Sequence, residues 1–311
     1  MNNDSKKKYI WQNSKPIALK DLLKHASFDI LPVFETTDFI IDPLDHDDVI
    51  EIEETKYLTN EMIEKVVSQM ALMQAGIERY QVYKEQVYFI DALNDQNSHN
   101  LNLIDERMPS KDTIFDIKNV LNGSKKLFAY VKSINEELTV DNLKLAFKIN
   151  LLHKMLEAED YNLEILDQEL LSEETINKLI KLINRCAAAL PKNQFFYKID
   201  LEQQTYANYV YLTQIELFDH NTLWNINTSI NQASYSDALK MMTIYLIGLK
   251  DELTRNSFAN LDYIKIINPR LNSFYTISIK SISDQKWAQL AEALLIEDFD
   301  KLWKLRTRSY Q

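Results

Sequence analysis

Leu171-Ser172-Glu173-Glu174-Thr175-Ile176, opening a run that closes at Ala189-Leu190-Pro191, is the stretch that sets the fold class. A serine side chain can accept a hydrogen bond from an orphan N–H of a helical first turn, so Ser172 marks an N-terminus. Glu173 and Glu174 place negative charge at the positive end of the helix dipole. Leu171 and Ile176 occupy the two positions of a hydrophobic staple, and Pro191 cannot continue the helix. Residues 172–190 therefore read as an α-helix with its start and stop both written in the sequence.

The same signals extend outward. Met62, Val66, Met70, Met73, Ile77, Tyr80, Val87 and Ile90 recur at three- and four-residue steps or a doubled step, after Thr59 or Asn60 as N-cap. A continuous helix over 60–93 would be about 50 Å long, with Gly76 weakening its middle by about 1 kcal/mol. A polar loop spans 94–111. Further helices are expected over 17–26, 111–122 (stopped by Gly123), 124–137, 141–158, 200–218, 234–255 and 259–268 (halted by Pro269). A last helical region follows Ser283. Two segments differ. Residues 28–54 hold prolines 32 and 43 and short β-prone runs at 31–34, 39–41 and 49–52, and Val49-Ile50-Glu51-Ile52-Glu53 alternates. Tyr275, Ile277 and Ile279 alternate with polar residues as a strand does. The expected fold is mainly α: a multi-helix bundle or irregular helical array with a small β element made of N-terminal residues 31–52 and a strand at 273–281. Pairing of those two segments would bring the chain ends together. Residues 1–16 read as a flexible N-terminus and 17–311 as one large helical domain, with a point of subdivision near 94–111.

Composition works by exclusion. The chain has 311 residues but only three glycines, Gly76, Gly123 and Gly248, far apart from one another. Glycine-clustered phosphate loops, dinucleotide turns and nucleophile elbows are thereby excluded, because each needs backbone that a Cβ obstructs. A net charge of −11 repels phosphate backbones and argues against nucleic-acid binding. The basic clusters Lys6–Lys8 and Lys301, Lys304, Arg306, Arg308 read as solvated terminal charge. A single cysteine, Cys186, precludes an intrachain disulfide and suits a reducing compartment. No signal peptide is visible at the N-terminus, and the apolar run 241–249 is about half a membrane span. The expected location is cytoplasmic.

Motifs give little catalytic signal. The histidines 25, 46, 99, 153 and 220 lie too far apart for a zinc site or a His-Glu-x-x-His helix. Cys186, inside a helix in Arg-Cys-Ala-Ala-Ala-Leu, reads as a small buried hydrophobe. Between residues 42 and 54 lie seven acidic residues, one histidine (His46) and no lysine or arginine, and mutual repulsion there would be relieved by a hard cation. Asp45, Asp47, Asp48 and Glu51 are the candidate ligands. Asp47-Asp48-Val-Ile-Glu51 is superficially similar to the metal motif of terpene synthases, but it lies in a Pro-flanked, β-prone segment near the N-terminus and the second motif of that family is missing. Tyrosine and arginine are favoured where one end of a side chain is dry and the other wet. Arg79, Tyr80, Tyr83, Tyr206 and Tyr209 are therefore the candidate interface residues. The leading expectation is a non-catalytic protein–protein interaction protein (an adaptor, scaffold, or assembly or regulatory component) with no cofactor. Its partner would be another protein or a second copy of the chain. The alternative is a helical enzyme that uses Mg²⁺ or another divalent cation held by the acidic cluster 42–54.

Overall fold

The structure, a computed structural model, describes residues 49–93, 111–160, 162–191, 215–252, 254–293, 296 and 299–308, with short strands at 17–18, 35–38, 196–199 and 210–211. It is mainly α-helical. In chain order the elements are β1 (Ile17–Ala18), β2 (Glu35–Asp38), α1 (Asn60–Gln74), α2 (Arg79–Val82), α3 (84–93), α4 (Lys111–Ser133), α5 (Val140–Glu157), α6 (Glu173–Ala189), β3 (Phe196–Ile199), β4 (Val210–Tyr211), β5 (Ile215–Phe218), β6 (Thr222–Ile226), α7 (Tyr235–Lys250), α8 (Arg255–Ala259), β7 (Tyr263–Asn268), β8 (Ser273–Ser278), α9 (Asp284–Ala293) and α10 (Phe299–Arg308).

The helix ends follow from local chemistry. Ser172 Oγ accepts from Thr175 N–H at 3.1 Å, and Leu171 and Ile176 are both buried, as a staple requires. Thr139 caps α5 by accepting from Asn142 N–H, and Ser234 forms a reciprocal capping box with Asp237 at the start of α7. The expected single helix over 60–93 is interrupted. Gly76 adopts φ 100°, Gly76 N–H donates to Met73 O, and Ile77 N–H donates to Leu72 O. This is a Schellman stop, in which a left-handed residue turns the chain and satisfies the last carbonyls. Gly123 is the reverse case. It does not end a helix but sits inside α4, where an added Cβ would come within 2.5 Å of Leu156 Cδ2 on α5. The expected helices 111–122 and 124–137 are thus one helix that uses its glycine for close approach.

A mixed sheet forms the middle layer, in the order β2-β8-β7-β6-β5-β3. β6 and β7 run parallel, joined by the crossover through α7 and α8, and the other pairings in this sheet are antiparallel. Alternate residues point to opposite faces. Leu217, Trp224, Ile226 and Ile267 join a core built by α1, α3, α4, α5 and α6, whereas Leu223, Ile264, Ile266, Tyr275 and Ile277 join a second core beneath α7 to α10. In the first, α1 packs against α5 and α6, and α4 against α5. Ile63, Val66, Leu127, Leu152 and Leu179 are closed to solvent there.

Three expected helices have strands among their described residues. Residues 200–218 contribute β4 and β5, residues 259–268 become β7 after the short α8, and Ile17–Ala18 pairs with Val210–Tyr211 instead of starting a helix. β6, unassigned from the sequence, lies between β5 and β7. A strand covered on both faces loses the burial alternation that separates strand from helix, as in β6, where Thr222, Leu223 and Trp224 are buried in succession. Within 31–52, the pairing is made by Glu35–Asp38 against Ser273–Phe274-Tyr275-Thr276. The expected strand at 49–52 is an extended strap without a ladder. Ile50 and Ile52 are buried, Glu51 and Glu53 are exposed, and Ile50 N–H donates to Arg270 O at 3.1 Å. The expected runs 31–34 and 39–41, the N-terminus 1–16 and most of the loop 94–111 lie outside the described residues.

Candidate interaction surface

Helices α2 and α3 carry Arg79, Tyr80, Lys84 and Tyr88, the tyrosines and lysine in four-residue steps. Arg79 Nη1 donates to Lys132 O at 2.7 Å and Ile134 O at 3.3 Å, so its guanidinium caps the orphan carbonyls at the end of α4. That anchorage fixes its plane over the Tyr80 ring, 4.8 Å from the centroid, and Nη2 reaches Tyr80 Oη at 3.4 Å. One step on, Lys84 Nζ stands 5.1 Å from the Tyr88 ring. Tyr80 is 44 % exposed and Tyr88 58 %, so both rings face water as cation-bearing aromatics. Phe128, one turn before Lys132 on α4, is also exposed.

Tyr83 lies apart from this surface. It is closed to solvent in the first core, its hydroxyl meets no hydrogen-bond partner among the described residues, and burial pushes its phenol far above the ordinary value. Nearby runs a buried amide chain: Gln86 Nε2 donates to Asn150 Oδ1 at 3.4 Å, and Asn150 Nδ2 donates to Gln69 Oε1 at 2.6 Å and Ala146 O at 2.9 Å. Cys186 is in the same core, and desolvation raises its thiol pKa, which suppresses the thiolate that nucleophilic chemistry needs. Tyr206 and Tyr209 lie outside the described residues.

Of the four candidate metal ligands, Asp45, Asp47 and Asp48 lie outside the described residues as well. Glu51 is exposed on the strap and contributes, after Glu54, to the field at the Arg270 guanidinium. Its described electrostatic neighbour is therefore a cation. Among the described residues no group of three or more His, Cys, Asp or Glu side chains is placed to hold a metal ion.

A cleft of about 150 Å³ opens between α1 and strands β5 and β6, lined by Glu61, Glu64, Ser68, Gln69, Trp224 and Ile226 among others. Ordinary small-molecule sites begin at roughly 300 Å³, so this one is small for a substrate. Its wall is held by Asp219, whose Oδ1 accepts from Asn221 and Thr222 N–H at 2.8 Å each and whose Oδ2 accepts from Trp224 Nε1 at 2.9 Å. Beside it Lys265 Nζ lies 5.2 Å from the Trp224 ring, 5.7 Å from Phe274 and 5.8 Å from Tyr263. Sequence reasoning missed Trp224 and Lys265. Tyr263-Ile-Lys265-Ile-Ile267 does contain an alternation, but it was absorbed into an expected helix ending at Pro269.

No helix among the described residues is long and apolar enough to cross a membrane. Comparison with protein families, with curated proteins and with solved structures finds no match in any of the three.

Proposed function

We propose that this chain acts by binding another protein, as an adaptor, scaffold or assembly component, through the face that carries Arg79, Tyr80, Lys84 and Tyr88. The observation that carries this reading is the pair of exposed tyrosines, each seated beside a cation on consecutive helical steps. Tyrosine offers large contact area at low entropic cost, and Arg79 is already immobilised by the α4 carbonyls, so little further ordering opposes association.

Affinity purification from the native cell tests it, comparing the natural chain with the Tyr80→Ala/Tyr88→Ala double variant. Hot-spot tyrosines contribute about 2 kcal/mol or more, so the variant should lose its specific partner by roughly 30-fold while keeping stability within about 0.5 kcal/mol. Equal recovery by both proteins removes these tyrosines from the interface. Sedimentation of the pure protein shows whether the partner is a second copy.

The divalent-metal reading draws no support from the described geometry, because Glu51 is exposed on the strap and its three companions lie outside the described residues. Titration calorimetry with Mg²⁺, Mn²⁺ and Ca²⁺ decides it. Heat that disappears in an Asp47→Asn/Asp48→Asn variant would restore it.

A further inference from the structure

Arg270, in the turn between β7 and β8, is 1 % exposed, yet its Nε and Nη2 groups meet no hydrogen-bond acceptor among the described residues. An isolated unmet donor is costly in the interior, and an unmet cationic pair is more so. These two donors share one edge of the planar guanidinium, the edge that grips a carboxylate through two parallel hydrogen bonds.

The turn that carries that edge is fastened. Arg270 N–H donates to Asn268 Oδ1 at 3.1 Å, and Arg270 O accepts from Ile50 N–H on the strap at 3.1 Å. Arg185, a second buried arginine, donates from Nη1 to the neighbouring Pro269 O at 3.0 Å. Two guanidinium groups thus converge on one turn. Glu54 and Glu51 attract Arg270 through space without bonding to it. Glu54 is committed to Asn60, accepting from its backbone N–H at 3.0 Å and from its side-chain amide. Glu51 is exposed to solvent.

We propose that the Nε–Nη2 edge of Arg270 is a binding site for a carboxylate group, reached when the strap of residues 49–54 lifts from the β7–β8 turn. A carboxylate matches the two donors in plane and spacing, and carries less charge against Glu51 and Glu54 than a phosphate dianion does. Its source is a small organic acid or an acidic side chain of a bound protein. The site is independent of the Tyr80–Tyr88 surface.

The test is thermal unfolding of the full chain in sodium acetate, with sodium chloride at equal ionic strength as reference. Parallel arms contain inorganic phosphate, or a short end-blocked peptide with one glutamate. Acetate should raise Tm saturably, by about 2 °C at tenfold excess over its Kd. Arg270→Lys, which keeps the charge but lacks the edge, should abolish the rise. Glu51→Gln, which removes a nearby negative charge, should tighten acetate by about 3-fold. A rise with acetate assigns a small acid, and a rise with the peptide alone assigns a protein source. A rise with phosphate alone, no rise with any oxyanion, or the same rise in Arg270→Lys overturns the proposal. If Arg270→Lys does not fold, Glu51→Gln decides. Destabilisation without any acetate response would show that Glu51 is the internal partner of Arg270, and the site would not exist.

Discussion

The two faces of the sheet support different kinds of core. Beneath α7 to α10 the packing is aromatic: Phe218, Phe258, Tyr245 and Trp287 follow one another at ring separations of 5.0 to 6.2 Å, and Trp303 continues the series at 5.5 Å. On the other face the bundle is aliphatic but threaded by Gln69, Asn150 and Gln86, and it holds the unsatisfied hydroxyl of Tyr83. Large interlocking rings fill the middle of one half. Buried amides make the other half selective in how its helices register, since a slipped pair leaves donors and acceptors unmet. The exposed cation–aromatic stripe belongs to the selective half. The aromatic half is its support.

The largest expected effect comes from breaking the support. Trp287→Ala should cost about 3–5 kcal/mol, because it removes a fully buried indole and leaves a cavity among stiff rings. Denaturant unfolding measures the loss, and Cys186 adds a second reading. As the only cysteine, buried in the opposite core, it reacts with a thiol reagent only when the bundle opens. Strands β6 and β7 serve both cores, so thiol exposure and tryptophan fluorescence should change at the same denaturant concentration. Separate transitions would show two independent halves.

Next comes the amide chain. Asn150→Ala leaves the oxygen of Gln69 and the amide of Gln86 without their partner, and should cost about 1–3 kcal/mol. A neutral result would mean that the amides add nothing to the bundle. The two packed glycines give a paired test of rigidity. Gly248→Ala drives a methyl into the Phe258 ring, and should cost about 1–3 kcal/mol. Gly123→Ala meets the far end of the flexible Leu156 side chain, and its gain in helix propensity of about 1 kcal/mol offsets most of the clash. Thermal denaturation of the pair should therefore rank Gly248→Ala as the more damaging; the reverse order would place the stiffer packing in the bundle. The smallest effect is a gain. Glu159 occupies the left-handed position after α5 with φ 55°, and Asp160 N–H donates to Met155 O at 2.8 Å, as in the stop at Gly76. Glu159→Gly should stabilise the bundle by about 0.5–1 kcal/mol.

How much of this was legible depends on where the information sits. The starts of α5, α6 and α7 were readable because a cap is a local bargain between one side chain and one turn. β8 was readable because Tyr275 and Ile277 face one core while Phe274, Thr276 and Ser278 are half-buried on the other face. β6 was not, since two-sided burial removes the alternation, and β7 was not, since its short alternation was taken into a helix ending at Pro269. Gly76 and Gly123 show the limit of reading residue types singly. Gly76 read as a weak point inside one long helix and Gly123 as a stop, and the positions of Leu72 and Leu156 reverse the two. The stripe was visible as tyrosines near arginine and lysine, but sequence alone placed Tyr83 with Tyr80, whereas the turn at Tyr83 sends the one inward and leaves the other in water. Arg270 carried no signal, because arginine is ordinarily a surface residue.

The strap at Ile50 has a consequence for synthesis. Its acceptor, Arg270 O, and the partner of β2, strand β8, are both encoded more than two hundred residues downstream. At roughly 5–20 residues per second, the helices within residues 59–190 would be made roughly 4–16 s before those partners are synthesised. The N-terminal segment therefore waits for the sheet to be made, and docks as one of the last events of folding. During that interval Ile50 and Ile52 are among the apolar groups in need of cover, so a nascent-chain chaperone should be crosslinked through this segment until Arg270 has emerged.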